Sequence, residues 1–374
     1  MAGIYIHIPF CRKACHYCNF HFSTSPKLQA NFVEALLTEI SLQKHFLKEP
    51  VSTIYLGGGT PSILESTTID LILQTIKTNF SVEAGAEITL EANPDDISIE
   101  KLTGWLSIGI NRLSIGIQSF FEEDLVWMNR AHNAKQALRS VELARREGFD
   151  NLTIDLIYGT PTLTNDRWLQ NLQKAISLQV PHLSCYALTV EPKTALHALI
   201  EKNKVANVDT DKQAVHFELL VAETEKHGYE QYEISNFAKP GFRSRHNSSY
   251  WQGKPYLGLG PSAHSFNGVS RQWNVANNAL YINSLQNGTL RFEKEELTKT
   301  NRFNEYVMTS LRTIEGLSIE KVTAEFGEKS AATLLSSASK HIKNQHLFLN
   351  DQHLKITRDG RFLADGIAAD LFQL

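Results

Sequence analysis

Short runs of apolar and β-branched residues recur along the first half of the chain, separated by longer stretches with helical periodicity. The runs Ile4–Ile8, Thr53–Leu56, Glu87–Glu91, Arg112–Ile117, Leu152–Ile157 and Leu183–Leu188 predict strands. Between them Ala30–Phe46, Ile69–Phe80, Ala134–Glu147 and Trp168–Leu178 predict amphipathic helices. Such alternation implies parallel strands joined by right-handed crossovers. Six or more units before about residue 230 suit a complete or partial (β/α) TIM-type barrel, with a doubly wound sheet as the structural rival.

The polar clusters favour the barrel. A cysteine loop follows the first strand, Gly57-Gly58-Gly59-Thr60 the second, and Tyr158-Gly159 the fifth. Glu91 closes the third strand and Gln118 follows the fourth. TIM-type barrels gather their chemistry on this face because every strand delivers a loop there. The expected division is 1–235 for the barrel, 236–298 for a connecting segment, and 299–374 for a small α+β module. In that module helices at Arg302–Thr313, Ser318–Phe326 and Lys329–Asn344 precede a hairpin, His346–Leu349 with His353–Ile356. A last helix is expected at Phe362–Leu371. The order resembles a winged helix, but no basic helix is evident, and a structural appendage is the plainer reading.

With 374 residues and 42% hydrophobic content, the chain can bury a sizeable core. A net charge of -3 gives a nucleic-acid partner no electrostatic support. No apolar stretch reaches transmembrane length and the N-terminus lacks signal-peptide features, so a cytoplasmic protein is expected. Four cysteines in such a chain do not make a disulfide framework.

Three of those cysteines fall in Cys11-Arg12-Lys13-Ala14-Cys15-His16-Tyr17-Cys18. Thiolates this close in a loop can face one point. On a cubane cluster they leave one iron open, and that iron can be chelated by the amino and carboxylate groups of S-adenosylmethionine (SAM). A zinc site completed by His7, His16 or His21 is the rival, and a disulfide with a leftover thiol is remote. Cys185, on a predicted strand, reads as a buried apolar residue. Gly57-Gly58-Gly59-Thr60-Pro61 lets the backbone approach a ligand, or is simply a tight turn. It is not a phosphate loop, because no Gly-Lys-Ser/Thr follows. Taken alone, Glu91, Gln118, Arg130 and Asp155 are as readily caps or ion pairs as ligand contacts.

The C-x3-C-x2-C spacing, with aromatic Tyr17 before the last cysteine, is similar to the radical SAM signature. The similarity extends over nearly the whole chain, including Pro255–Ser265. It implies a [4Fe–4S] cluster on Cys11, Cys15 and Cys18, with Tyr17 near the adenine. The glycine run Gly57, Gly58, Gly59 and Thr60 would hold the methionyl amino group and Asp155 the ribose. Glu91, Gln118 and Arg130 would hold the methionine or ribose part, with Tyr5 matching a further site residue.

Two subgroups share this architecture. The oxygen-independent coproporphyrinogen III oxidases of porphyrin biosynthesis carry a fourth cysteine, C-x3-C-x2-C-x-C, and a long extension ahead of the cysteines. Here Phe20 stands at the fourth position, and Cys11 leaves no room for that extension. His246-Asn247-Ser248-Ser249-Tyr250-Trp251 matches the H-N-x-x-Y-W haem-binding motif of the HemW-type haem chaperones. Imidazole suits haem iron, and Tyr250 and Trp251 offer flat apolar area. Arg243 and Arg245, just before the histidine, are expected to pair with the propionates. A loop with a satisfied histidine and a buried aromatic pair is the bland alternative. The resemblance implies haem binding and delivery to apo-haemoproteins such as respiratory enzymes, with possible association at a membrane surface. The oxidase activity is the second hypothesis.

Overall fold

The computed structural model describes residues 1–373. Its first half alternates strand and helix as the periodicity predicts: β1 (Ala2–Ile8), α1 (Gln29–Leu42), β2 (Val51–Gly58), α2 (Ser66–Asn79), β3 (Val82–Ala92), α3 (Ile99–Ser107) and β4 (Arg112–Gln118). There follow α4 (Glu122–Trp127), α5 (Ala134–Arg146), β5 (Leu152–Tyr158), α6 (Asn165–Ser177), β6 (His182–Ala187), α7 (Ala195–Glu201) and α8 (Thr210–Lys226). Local signals set the boundaries. Asn133 and Gln136 form a capping box at the start of α5, and Ala137, Ser140, Val141 and Ala144 make its buried stripe.

Strands β1 to β6 lie side by side in chain order and parallel. A doubly wound sheet reverses direction at a switch point. Here the order runs on without reversal, which is the (β/α) barrel pattern, left open rather than closed. Along each strand, alternate residues face opposite ways. Ile4, Ile6, Ile8, Ile54, Leu56, Leu90, Leu113, Ile115, Ile154 and Leu183 pack against the helices in one large core. Many inward positions are polar and bond one another. Arg112 donates to Asn151 Oδ1 at 2.7 Å, Thr153 bonds His182 Nδ1 at 3.1 Å, and Ser184 donates to Asn236 Oδ1 at 2.7 Å.

Residues 230–296 add strands to both sides of the same sheet. β7 (Glu230–Gln231) and β8 (Asn236–Ala238) extend it beyond β6. After α9 (Arg245–Trp251), β9 (Tyr256–Leu259) pairs parallel with β1. Then β10 (His264–Phe266), β11 (Ser270–Asn274), α10 (Asn278–Gln286) and β12 (Phe292–Glu296) complete a twelve-stranded sheet among the described residues. A buried carboxylate anchors this addition: Glu39 on α1 accepts from Gly260 N–H, Asn274 Nδ2 and Tyr281 hydroxyl at 2.8, 2.6 and 2.6 Å.

The C-terminal module has its own core of Phe303, Val307, Leu311, Val322, Phe326, Leu334, Leu347, Leu354 and Ile367. It comprises α11 (Lys299–Leu311), β13 (Leu317–Ser318), α12 (Ile319–Phe326), α13 (Glu328–Lys343), β14 (Leu347–Asn350), β15 (His353–Ile356) and α14 (Ala364–Asp370). The three strands pair in the order β13, β15, β14. The last helix starts two residues later than expected, because Arg361–Leu363 forms a 3-10 turn. The module docks beside β7: Ile314 N–H donates to the Tyr232 carbonyl at 3.0 Å, and Arg361 Nη1 donates to Gln231 Oε1 at 2.5 Å. No helix among the described residues is long and apolar enough to cross a membrane.

Candidate functional site

The loop after β1 is pinned at both ends. Cys11 N–H donates to the Ser23 carbonyl at 3.0 Å and Ser23 N–H to the Pro9 carbonyl at 2.9 Å. Its middle is tied to the segment after α4: His16 N–H reaches the Met128 carbonyl at 3.2 Å, and Asn129 Nδ2 reaches the Ala14 carbonyl at 2.8 Å. Cys11, Cys15 and Cys18 are free thiols that line one cavity of about 630 Å³ at the C-terminal mouth of the strands. They share it with Tyr17, Gly58, Gly59, Thr60, Glu91, Gln118, Arg130 and Asp155. Eleven of the thirteen expected cluster and SAM residues thus meet there. Tyr5 and Gly57 lie beneath: the Tyr5 hydroxyl sits 3.2 Å from His7 Nδ1, and its ring is 6.1 Å from Tyr55.

The zinc rival finds no support in the geometry. Among the described residues no group of three or more His, Cys, Asp or Glu is gathered to hold a single ion. The three histidines are spent elsewhere: His7 on the His21 carbonyl at 2.7 Å, His16 on the Trp127 carbonyl at 2.9 Å, and His21 on Asn278 Oδ1 at 2.7 Å. The thiols do fit a cluster. Burial pushes the Cys11 thiol up to about 11 and raises that of Cys18, so their thiolates need a compensating cation. Iron would supply that charge, and Arg130 Nη1, 3.2 Å from Cys15 Sγ, adds to it.

Arg130 is the tie between loop and barrel. Its guanidinium also donates to Tyr17 hydroxyl at 3.4 Å, Asn93 Oδ1 at 2.9 Å and the Gly116 carbonyl at 2.8 Å. Glu91 accepts from the Tyr55 hydroxyl at 2.8 Å and from Gly58 N–H at 3.1 Å. Burial, then the Asp155 charge, pushes its carboxyl up to about 7. Burial pushes Asp155 up to about 6, against a 3.4 Å bond from Ser114. Two carboxylates whose pKa values are raised toward 7 on a polar cavity floor suit a cationic ligand that carries amine N–H and hydroxyl donors. The glycine run has a packing reason too. Gly58 has φ of +102°, and a Cβ there would meet the His7 ring at 2.4 Å. Gln118 closes β4 with φ of +62°.

The expected haem motif folds as the short helix α9 at the opposite end of the barrel. Ser244 caps it by accepting from Asn247 N–H, and Glu87 on β3 accepts both the Arg245 and His246 N–H groups, at 3.1 and 3.0 Å. This seats His246 in the barrel floor at 1% exposure. Both ring nitrogens have partners: Thr53 Oγ1 at 2.8 Å and Tyr250 hydroxyl at 2.9 Å. Burial lowers its pKa to about 3, so it is a neutral imidazole. Tyr55 stacks on it at 5.0 Å, and the same Tyr55 reaches up to Glu91. Trp251 packs under the Arg312 guanidinium at 5.4 Å.

The two arginines expected to meet propionates meet the chain's own carboxylates instead. Arg243 binds Glu230 through Nε and Nη2 at 3.0 and 2.7 Å, and Glu315 at 2.7 Å. Arg245 reaches the Gly85 carbonyl at 2.7 Å and Glu83 at 3.8 Å. Cys185 is buried at 1% exposure in the main core.

Residues 5–175 match the sequence profile of the radical SAM superfamily, and residues 297–363 that of the HemN C-terminal domain. Over 376 aligned residues, spanning 98% of each chain, the sequence is 34% identical to the heme chaperone HemW of Bacillus subtilis. The chain belongs to the HemW family. HemW of Escherichia coli is 37% identical over 269 residues, covering 70% of this chain and 69% of that one. Coproporphyrinogen III oxidase (HemN) from Escherichia coli, a radical SAM enzyme, superposes with a TM-score of 0.86 over 100% of this chain and 90% of that chain. At 24% identity that likeness shows the fold. This chain thus has the radical SAM fold with a C-terminal module over its mouth.

Several site residues carry no sequence signal of their own. Thr53, Tyr55 and Glu87 hold His246, and Asn93 holds Arg130. Period-two alternation could have found the first three, since they occupy inward positions on β2 and β3. Arg312 and Arg361 line the cavity from a module some 300 residues along, which no local pattern reveals.

Proposed function

We propose that this protein is a haem chaperone of the radical SAM type, which binds haem and passes it to apo-haemoproteins, respiratory enzymes among them, in the cytoplasm. Cys11, Cys15 and Cys18 would hold a [4Fe–4S] cluster, and SAM would sit against Glu91, Asp155, Gln118 and the Gly58–Thr60 backbone. When bound, that pair supplies one-electron reductive chemistry. The protein's own part is to offset thiolate charge through Arg130, accept from amine N–H and hydroxyl groups on the cavity floor, and exclude water with Tyr17 and the C-terminal module.

The observation that carries the haem reading is the state of His246. It is a neutral imidazole, held only by two hydroxyls, in a slot walled by Tyr55 and Tyr250. Neutral imidazole is the form that ligates haem iron, and hydroxyl partners yield to a metal more readily than carboxylates do. Coordination then requires α9 to lift from the barrel floor. Haem titration of the anaerobically purified protein tests this. His246→Ala is expected to lose or shift the Soret band of the complex, and an unaltered band would remove His246 as the ligand. In the same preparation, protoporphyrinogen formed from coproporphyrinogen with SAM and reductant would replace the chaperone reading by the oxidase one.

A further inference from the structure

We propose that Arg312 and Arg361 form a carboxylate-binding rim on the mouth cavity, where the propionates of haem are held. The proposal rests on haem as the ligand and assigns the residues that read its acidic edge; it seats haem in the mouth cavity, at the end of the barrel opposite α9, and so does not depend on His246 as the iron ligand.

Arg243 and Arg245 are paired with Glu230, Glu315 and Glu83, and neither lines the mouth cavity. Arg130 lines it but is committed to Cys15, Tyr17, Asn93 and Gly116. Arg312 and Arg361 line it from the C-terminal module. Arg361 has only a neutral partner, Gln231, and no carboxylate within ion-pair distance among the described residues. Burial and the nearby Arg358 lower its hold on its proton, so an incoming anion relieves an unbalanced positive charge. Arg312 pairs with Asp365, itself 70% exposed and free to swing aside, and its Nε has no partner among the described residues.

The surroundings define the rest of the ligand. Phe362 packs against Phe217 at 6.0 Å, and with Leu188, Ile234 and Phe22 it makes an apolar wall beside the two cations. The acidic residues Glu91 and Asp155 lie near the cysteines, and of the two rim cations only Arg312 has a carboxylate, Asp365, beside it. A flat apolar body with two carboxylates on one edge fits that arrangement. The Arg312 guanidinium also lies over the ring of Trp251, the last residue of α9.

The test compares haem with haem dimethyl ester, titrated in detergent into reconstituted protein, wild type against Arg312→Gln and Arg361→Gln. Wild type is expected to prefer the diacid by about tenfold or more, as charge-assisted bonds imply. Each variant is expected to lose most of that preference while binding the diester as wild type does, and Arg361→Lys to recover part of it. Wild type that binds both forms equally, or variants that weaken both equally or keep the full preference, would overturn the rim. Wild type that binds neither form would overturn the haem reading with it. Should Arg312→Gln lose its fold through the Trp251 contact, Arg361→Gln decides alone, since cluster absorption confirms its folding.

Discussion

Replacing Glu87 by Gln is expected to loosen α9 and unmask His246. The Glu87 carboxylate receives two backbone N–H groups from the first turn of α9, one at 3.0 Å and one at 3.1 Å. Gln keeps one acceptor oxygen but turns an NH2 toward the other N–H. A hydrogen bond to a charged group is lost and a buried donor is left unpaired, a cost of about 2 kcal/mol. Because the contact exists only when α9 is seated, that cost falls on the seated state and shifts the opening equilibrium by roughly thirtyfold. Hydrogen-exchange mass spectrometry of the segment 244–252 should show exchange faster by that order, with the barrel strands unaffected. If seating masks His246, the apparent haem affinity rises with the open fraction. Unchanged exchange would refute the energetic role given to Glu87. Faster exchange with unchanged or weaker haem binding would refute the idea that α9 must lift.

Three further outcomes follow from the same geometry. Arg130→Gln removes the bonds to Cys15 and Tyr17, so iron and sulfide retained after anaerobic reconstitution should fall severalfold, whereas full retention would show that the loop needs no such tie. Gly58→Ala places a Cβ against the His7 ring at a positive φ, and should cost about 3 kcal/mol or more in urea unfolding; a loss under 1 kcal/mol would contradict the packing. The Glu91 carboxyl, raised to about 7, contributes stability to the ligand-free protein at low pH that is lost as pH rises from about 4.5 toward 7. The sulfonium of SAM, a fixed positive charge, favours the ionised form, so SAM affinity should rise with pH and level off above about 7, and Glu91→Gln should flatten that profile.

The sequence announces what is local and hides what is assembled. The six parallel strands were legible because each is a short apolar run bounded by turns, and the cysteine loop because its spacing is fixed by the cluster it would hold. The inward polar faces were harder to see. Thr53, Tyr55 and Glu87 alternate with Ile54, Leu56 and Ile88, which marks the face they occupy but not the residues they meet across the barrel. The motif around His246 was legible as letters, but its depth was not. Burial of that helix is decided by Glu87, about 160 residues upstream. The same distance effect hides the surroundings of Arg243 and Arg245: beside His246 in sequence, they pair in the folded chain with Glu230, Glu315 and Glu83. Arg312 and Arg361 became visible only once the C-terminal module was folded over the mouth.

The most direct test of the account is the electron paramagnetic resonance spectrum of the anaerobically reconstituted, reduced protein before and after SAM is added. Three cysteine ligands on a four-iron cluster leave one iron open, so SAM is expected to change the spectrum of wild type, and Cys→Ala at position 11, 15 or 18 to abolish the cluster signal. A signal indifferent to SAM, or a preparation holding zinc in place of iron, would contradict it.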